Sequence, residues 1–281
     1  MTYRIMQLSD SALHLLKNEQ NGVIHSVYRK TININIDGSL LALQSSGSPL
    51  SPISLITNLG ERAMAALDID TDAPVKITHD TVMIGSSSFY YGSAEVFPCR
   101  LQKTLSPSDI ESLKKNIETV LFSSHTGGFD TIFQNYRNPS IELPSLLLEG
   151  ARNYLSQAYS CIRGRNDTSA SAYLAHLIGL GIGLTPSGDD FLCGALAGLI
   201  LTGASDLPFT KSLKEAIRDS LANTNDISRA FLLCALEGKF STAVHSLMSI
   251  PDYADISTAF REIGHSSGID TLCGILFSLS L

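Results

Sequence analysis

The residues best suited to chemistry lie in one glycine-rich segment, "GLGIGLTPSGDDFLCGAL", which spans residues 179–196. Its glycines, including Gly181 and Gly183, allow backbone conformations that a Cβ atom disfavours. An apolar run follows the Thr-Pro-Ser-Gly stretch and predicts a helix, with Thr185 or Ser187 as its cap. The first N–H groups of a helix are free and its dipole is positive there. The segment therefore predicts a site for a small anion.

Two adjacent aspartates, Asp189 and Asp190, fall in the first turn of this predicted helix. Neighbouring helical residues point about 100° apart, so the two carboxylates face different surroundings. In a structural interpretation, each carboxylate interacts favourably with the positive end of the helix dipole and stabilises the helix by about 0.3–1 kcal/mol. In a functional interpretation, Asp189 and Asp190 bind Mg²⁺ beside a phosphate, or one of them accepts a substrate amide. The sequence alone leaves both interpretations open.

A second copy of the helix start occurs near the C-terminus. "SGDDFLCGAL" begins at Ser187 and "SGIDTLCGIL" begins at Ser267, and the two share Ser, Gly, Asp, Leu, Cys, Gly and Leu. The repeat pairs Asp190 with Asp270 and gives Asp189 no counterpart. Its Cys-Gly positions are also explained by close packing of two helices. The recurrence of Ser-Gly-x-Asp at both starts predicts that the two helix N-termini meet at one ligand.

His265 precedes the second Ser-Gly and is a candidate for proton transfer or oxyanion stabilisation, although a cap or surface role is the alternative. The predicted catalytic residues are therefore Asp190, Asp270 and His265. The predicted ligand-binding residues are those of the two helix starts and the preceding loop: Gly181, Gly183, Thr185, Ser187, Gly188, Ser267 and Gly268. The metal alternative assigns Mg²⁺ to Asp189 and Asp190.

Composition excludes several classes of protein. The 281 residues are 44% hydrophobic and 17% charged, which indicates a packed core, and the net charge of −7 argues against nucleic acid as a partner. Five scattered cysteines form no CxxC pair or zinc spacing, which is typical of a reducing, cytoplasmic compartment. The most apolar stretch contains Asp189 and Asp190, so we expect no membrane span.

The remaining sequence predicts an α+β protein. Short β-branched segments such as "SVYRKTININI", followed by the turn dipeptide Asp37-Gly38, predict an antiparallel sheet or small barrel over residues 1–105. Helical periodicity starts at Ser106 and Pro107 and predicts a helical domain over residues 106–281 that carries the helix-start repeat. We expect residues 123–142 to be an irregular connector.

The segments "GLGIGLTPSGDDFLCGALAGL" and "GHSSGIDTLCGIL" resemble a bacterial family long described as a domain of unknown function. One branch of that family is a subunit of oxamate carbamoyltransferase, in anaerobic allantoin breakdown. The resemblance implies a reaction of oxalurate with phosphate that gives oxamate and carbamoyl phosphate, carried out with partner subunits. The Ser-Thr-Arg-Thr phosphate loop of aspartate and ornithine carbamoyltransferases is absent, so a different fold is expected.

Three functions are therefore compared below. The first is a carbamoyltransferase subunit that acts on a small carboxylated amide. The second is a Mg²⁺-dependent enzyme of a phosphorylated metabolite. The third is a non-catalytic ligand-binding or assembly subunit, in which the repeat serves only to pack two helices.

Overall fold

The computed structural model describes residues 1–281 and divides the chain into two compact units. One comprises Met1–Arg100 with Phe240–Thr242, and the other comprises Leu101–Lys239 with Ala243–Leu281. The first is built mainly of strands and the second of helices, which confirms the predicted α+β fold class. The ranges 1–105 and 106–281 stay a prediction of where separate domains begin and end.

The first unit is a closed barrel with an added edge strand. Its nine strands are β1 (Thr2–Ser9), β2 (Gln20–Val27), β3 (Thr31–Ile36), β4 (Ser39–Gln44), β5 (Ser54–Thr57), β6 (Pro74–Ile77), β7 (Thr81–Ile84), β8 (Ser87–Tyr90) and β9 (Glu95–Phe97). They follow the order β5-β4-β3-β2-β6-β7-β8-β1-β9, and β1 also pairs with β5, which closes eight strands into a ring. Of the two predicted architectures, the small barrel is therefore the one formed.

Alternating isoleucines explain why this segment forms a barrel wall. Ile32, Ile34 and Ile36 of β3 are buried in the barrel core. Asp37 and Gly38 have φ angles of 48° and 84°, as a two-residue hairpin turn requires. The turn pairs β3 with β4 in antiparallel register. Parallel pairs, such as β4 with β5 and β1 with β8, make the sheet mixed. Two short helices, α1 (Asp10–Leu16) and α2 (Glu61–Ala65), complete this part of the chain.

The second unit contains ten α-helices: α3 (Pro107–Ser123), α4 (Phe129–Arg137), α5 (Leu146–Arg163), α6 (Asp167–Ala175), α7 (Ser187–Leu201), α8 (Pro208–Ser220), α9 (Asp226–Leu236), α10 (Thr242–Ser246), α11 (Tyr253–Arg261) and α12 (Ser267–Leu279). Two short 3-10 helices, Leu221–Asn223 and Leu247–Ser249, follow α8 and α10. The prediction of an irregular connector over 123–142 was wrong, because α4 lies within it. Phe129, Ile132 and Phe133 of α4 are buried, so packing stabilises a helix too short for a clear periodic pattern. None of the helices combines the length and apolar character needed to cross a membrane.

Helices α7 and α12 form the centre of the helical unit. A Cβ atom added to Gly194 would overlap the carbonyl oxygen of Thr271, and one added to Gly274 would overlap that of Phe191. These two contacts are equivalent under the sequence repeat. Four residues after Gly194, a Cβ atom on Gly198 would lie 2.9 Å from the carbonyl oxygen of Ile275, which is four residues after Thr271, so the two helices run parallel. Both helix starts therefore lie at the same end of the pair. Only glycine permits this close approach, so the Cys-Gly part of the repeat has a packing role.

Candidate functional site

The starts of α7 and α12 meet directly. The hydroxyl oxygens of Thr185 and Ser267 are 2.7 Å apart and share a hydrogen bond. Neither helix has a side-chain cap: the N-cap positions are Pro186 and Ser266, and neither makes a capping hydrogen bond. The predicted capping of α7 by Thr185 or Ser187 was therefore wrong. Two helix N-termini without side-chain caps lie side by side, so their dipoles add at one place.

The glycines of the predicted site differ in their surroundings. A Cβ atom on Gly188 would overlap the carbonyl oxygen of Leu177, and one on Gly268 would overlap that of Phe260. Gly181, with a φ of 145°, lies against the backbone nitrogen of Ser187. These three glycines allow the chain to approach closely before each helix. Gly183, with a φ of 122°, is exposed and has open space around it.

Asp189 is occupied by protein donors. It is 1% exposed, and its two oxygens accept hydrogen bonds from the Gly179 N–H (2.9 Å) and the Thr224 hydroxyl (2.5 Å). Asp189 thus holds the glycine loop to the segment before α9. Arg229 donates to the Thr224 carbonyl oxygen at 3.3 Å and supports that segment. The chain contains no group of three or more His, Cys, Asp or Glu residues that could hold a metal ion. Both oxygens of Asp189 are engaged within the protein, and the assignment of Mg²⁺ to Asp189 and Asp190 stays a prediction.

Asp270 connects a third helix to the site. Its side chain is fully buried, and its Oδ1 accepts the N–H of Phe129, the first residue of α4, at 2.7 Å. Its Oδ2 is buried and has no hydrogen-bond partner. Burial raises the pKa of Asp270 from 3.8 to about 7, although the Phe129 N–H and the Ser187 hydroxyl act in the opposite direction. Asp270 is thus near the midpoint of its titration at neutral pH.

Asp190 lies in the matching position of α7. Its Oδ2 is also buried without a hydrogen-bond partner. Burial is the main reason that the pKa of Asp190 is raised well above 3.8, and the nearby Asp270 carboxylate raises it further. The hydroxyls of Ser267 and Thr185 oppose this shift without reversing it. Burial therefore favours the protonated form of Asp190 over the carboxylate, relative to an exposed aspartate.

The two aspartates interact crosswise with the two serines. Asp190 interacts with the Ser267 hydroxyl of the other helix, and Asp270 interacts with the Ser187 hydroxyl. With Thr185, the structure thus brings together five of the predicted residues. Their hydroxyls and a protonated carboxyl are donors, whereas an ionised carboxylate is an acceptor. At the start of α7, the N–H groups of Gly188 and Asp189 already donate to the carbonyl oxygens of Leu180 and Pro186. Such a set can bind a ligand that carries both an anionic group and an N–H group.

Two protein-family matches together cover most of the chain. The family described as oxamate carbamoyltransferase subunit AllH matches residues 177–279, and the AllH family N-terminal domain matches residues 4–96. The chain belongs to the AllH family. This confirms the resemblance noted in the sequence, and membership of a subunit family implies partner subunits. No solved structure matches the chain.

The AllH family match over 177–279 includes both helix starts and His265. His265 is exposed and lies with His125 and Arg261 in the lining of a cleft of about 360 Å³. The cleft also includes Ser124, Thr126 and Gly264. His265 is therefore next to the α12 start in sequence but opens to a separate, more cationic space.

Helix α4 contributes to the candidate site in a way that the sequence does not reveal. Asp130 is fully buried and accepts the backbone N–H and the hydroxyl of Thr126, both at 2.9 Å. A Cβ atom on Gly128 would lie 2.5 Å from Oδ1 of Asp270. Gly127, with a φ of 74°, forms the turn before this contact. The Gly-Gly pair followed by "FDTIF" was a signal of a turn and a helix start, but only the fold shows that it meets Asp270.

Proposed function

We propose that this AllH chain binds the carboxylated amide of the oxamate carbamoyltransferase reaction at the paired starts of α7 and α12. The reaction joins oxalurate and phosphate to give oxamate and carbamoyl phosphate. One observation carries the proposal. Two buried carboxyl oxygens, Oδ2 of Asp190 and of Asp270, lack partners beside two helix starts that lack side-chain caps.

Oxamate has the groups that this arrangement would satisfy. Its carboxylate would accept from the hydroxyls of Ser187 and Ser267 and would lie at the positive ends of both helix dipoles. Its amide N–H groups are donors for the Asp270 carboxylate. The raised pKa of Asp190 favours its uncharged form, which reduces the repulsion between the two aspartates and a bound anion.

A protonated Asp190 would also supply the proton that the leaving nitrogen needs. In the forward reaction, a phosphate oxygen forms a bond to the carbamoyl carbon of oxalurate. The bond from that carbon to the nitrogen of the oxamate portion breaks, and this nitrogen takes up a proton. We infer that Asp190 donates that proton and that Asp270 holds the amide in position. The same groups would act in reverse when carbamoyl phosphate reacts with oxamate.

The experiment is a calorimetric titration of oxamate into the purified chain. Asp270→Asn should weaken oxamate binding at least about tenfold, because the asparagine oxygen would keep the Phe129 N–H and its NH₂ would face the ligand NH₂. Asp219→Asn, an exposed change on α8, is the matched control and should bind as the wild type does. The proposal fails if wild-type protein does not bind oxamate, or if Asp270→Asn binds it equally well.

A second measurement separates binding from proton transfer. Asp190→Asn keeps a donor at this position but cannot release a proton. In the assembled enzyme it should lower kcat at least about a hundredfold, with little change in the oxamate Kd. Unchanged turnover would favour the non-catalytic assembly subunit, the alternative that the glycine packing of α7 on α12 supports.

A further inference from the structure

We propose that the cleft formed by His125, Arg261 and His265 binds inorganic phosphate and the phosphoryl end of carbamoyl phosphate. This inference rests on the proposed function and extends it with a second anion subsite. The cleft has a volume of about 360 Å³ and no acidic residue in its lining. His125, Arg261 and His265 are exposed, so their nitrogen atoms are accessible to a ligand.

The side chains of the cleft match phosphate chemically. A guanidinium presents several N–H groups in a plane and binds phosphate oxygens in pairs. Arg261 forms no salt bridge with an acidic side chain of the chain. Imidazole nitrogens of His125 and His265, with the hydroxyl of Thr126 in the same lining, supply further hydrogen-bonding groups.

A structural explanation exists for one of these residues. Arg261 is the last residue of α11, where the negative end of the helix dipole stabilises a cation. That explanation applies to Arg261 alone. It does not account for two histidines, from segments far apart in sequence, that line the same cleft.

The position of the cleft connects it to the proposed oxamate site. Thr126 leads into α4, whose first N–H binds Asp270. On the other side, an added Cβ on Gly264 would lie 3.6 Å from the Ser267 hydroxyl oxygen. The two segments that line the cleft therefore continue into the residues that would hold the amide.

The test is a titration of inorganic phosphate into the full-length chain, with and without saturating oxamate. Phosphorus NMR or calorimetry measures the phosphate Kd in each case. Arg261→Gln should weaken phosphate binding at least about tenfold and leave the oxamate Kd within about twofold. His265→Gln should weaken phosphate binding by a smaller factor. Arg218→Gln, which also removes an exposed arginine from the last turn of a helix, is the matched control and should change neither affinity.

The outcomes separate the two proposals. If phosphate binds the wild type and Arg261→Gln equally, or does not bind the wild type, the phosphate cleft is refuted while oxamate binding stands. If oxamate does not bind but phosphate binding still depends on Arg261, the proposed function fails and the cleft remains an anion site. A weaker effect in Arg261→Lys than in Arg261→Gln would support a charge-based contact.

Discussion

The two helix starts have the same Ser-Gly-x-Asp sequence but different environments. Their packing is equivalent, since Gly188 and Gly268 both lie against carbonyl oxygens of the preceding segment. At the third position, Asp189 ties down the glycine loop, whereas Ile269 is part of the apolar core. The repeated residues thus specify a close parallel pairing, and the residues that differ specify what surrounds it.

The same contrast holds for the two repeated carboxyls. Asp270 accepts the Phe129 N–H, which limits the rise of its pKa to about 7. The pKa of Asp190, which has no such backbone donor, is raised well above 3.8 by burial and by Asp270. Identical side chains at equivalent positions can therefore hold their protons differently, because a third helix meets only one of them.

The largest expected effect tests the packing that the two starts share. Gly194→Ala would place a methyl group on the Thr271 carbonyl oxygen and should lower the free energy of unfolding by about 3 kcal/mol or more. Urea unfolding would measure the change. Gly150→Ala in α5 is the matched control, because nothing lies within 4 Å of its added Cβ. It should raise the free energy of unfolding by about 0.5–1 kcal/mol. Equal effects of the two changes would refute the close pairing.

The next prediction concerns the pH dependence that distinguishes Asp270. Its pKa is about 7 in the folded chain and about 3.8 as a free carboxyl. Between these two pH values, the folded chain retains a proton that the unfolded chain has released. The free energy of unfolding should therefore fall as pH rises toward 7 and level off above it. Between pH 5 and pH 8, the titration of Asp270 lowers the free energy of unfolding by about 3 kcal/mol.

Asp270→Asn should remove that contribution. The difference in unfolding free energy between pH 5 and pH 8 should shrink by about 3 kcal/mol relative to wild type. Urea unfolding at both pH values would measure it, with Asp219→Asn as the control that keeps the wild-type difference. The same pH dependence in wild type and Asp270→Asn would contradict the buried, partly protonated carboxyl.

A smaller effect is expected where the two starts differ in sequence. Asp189→Asn offers one accepting oxygen in place of two, so the Gly179 N–H or the Thr224 hydroxyl loses its partner. The free energy of unfolding should fall by about 1–3 kcal/mol. Asp190→Asn should be neutral or stabilising, because Oδ2 of Asp190 has no partner to lose. Thermal or urea unfolding would measure both changes. If Asp190→Asn destabilised the chain more than Asp189→Asn, the structural role assigned to Asp189 would be wrong.

Local sequence patterns predicted the features that depend on neighbouring residues. The isoleucine alternation before Asp37 and Gly38 predicted a hairpin, and the repeat at Ser187 and Ser267 predicted two similar helix starts. These signals arise from side-chain periodicity and backbone preference, which act within a few residues. The resemblance to the family rested on the same two segments.

Features that depend on tertiary contacts were not predictable in this way. The structural role of Asp189 requires Thr224, which is distant in sequence, and the pKa of Asp270 requires burial against Phe129. Helix α4 is nine residues long, and its stability comes from packing of Phe129 and Phe133. No spacing rule connects these residues, because only the folded chain places them together.

The central claim is that the paired helix starts recognise an anion that also carries an amide. Oxamate and pyruvate test it most directly, since pyruvate has a methyl group where oxamate has NH₂ and keeps the carboxylate. Calorimetric titration of the wild-type chain at pH 8 should give a pyruvate Kd at least about tenfold weaker than that of oxamate, because Asp270 would face a methyl group instead of a donor. Equal affinity for the two ligands would contradict the account.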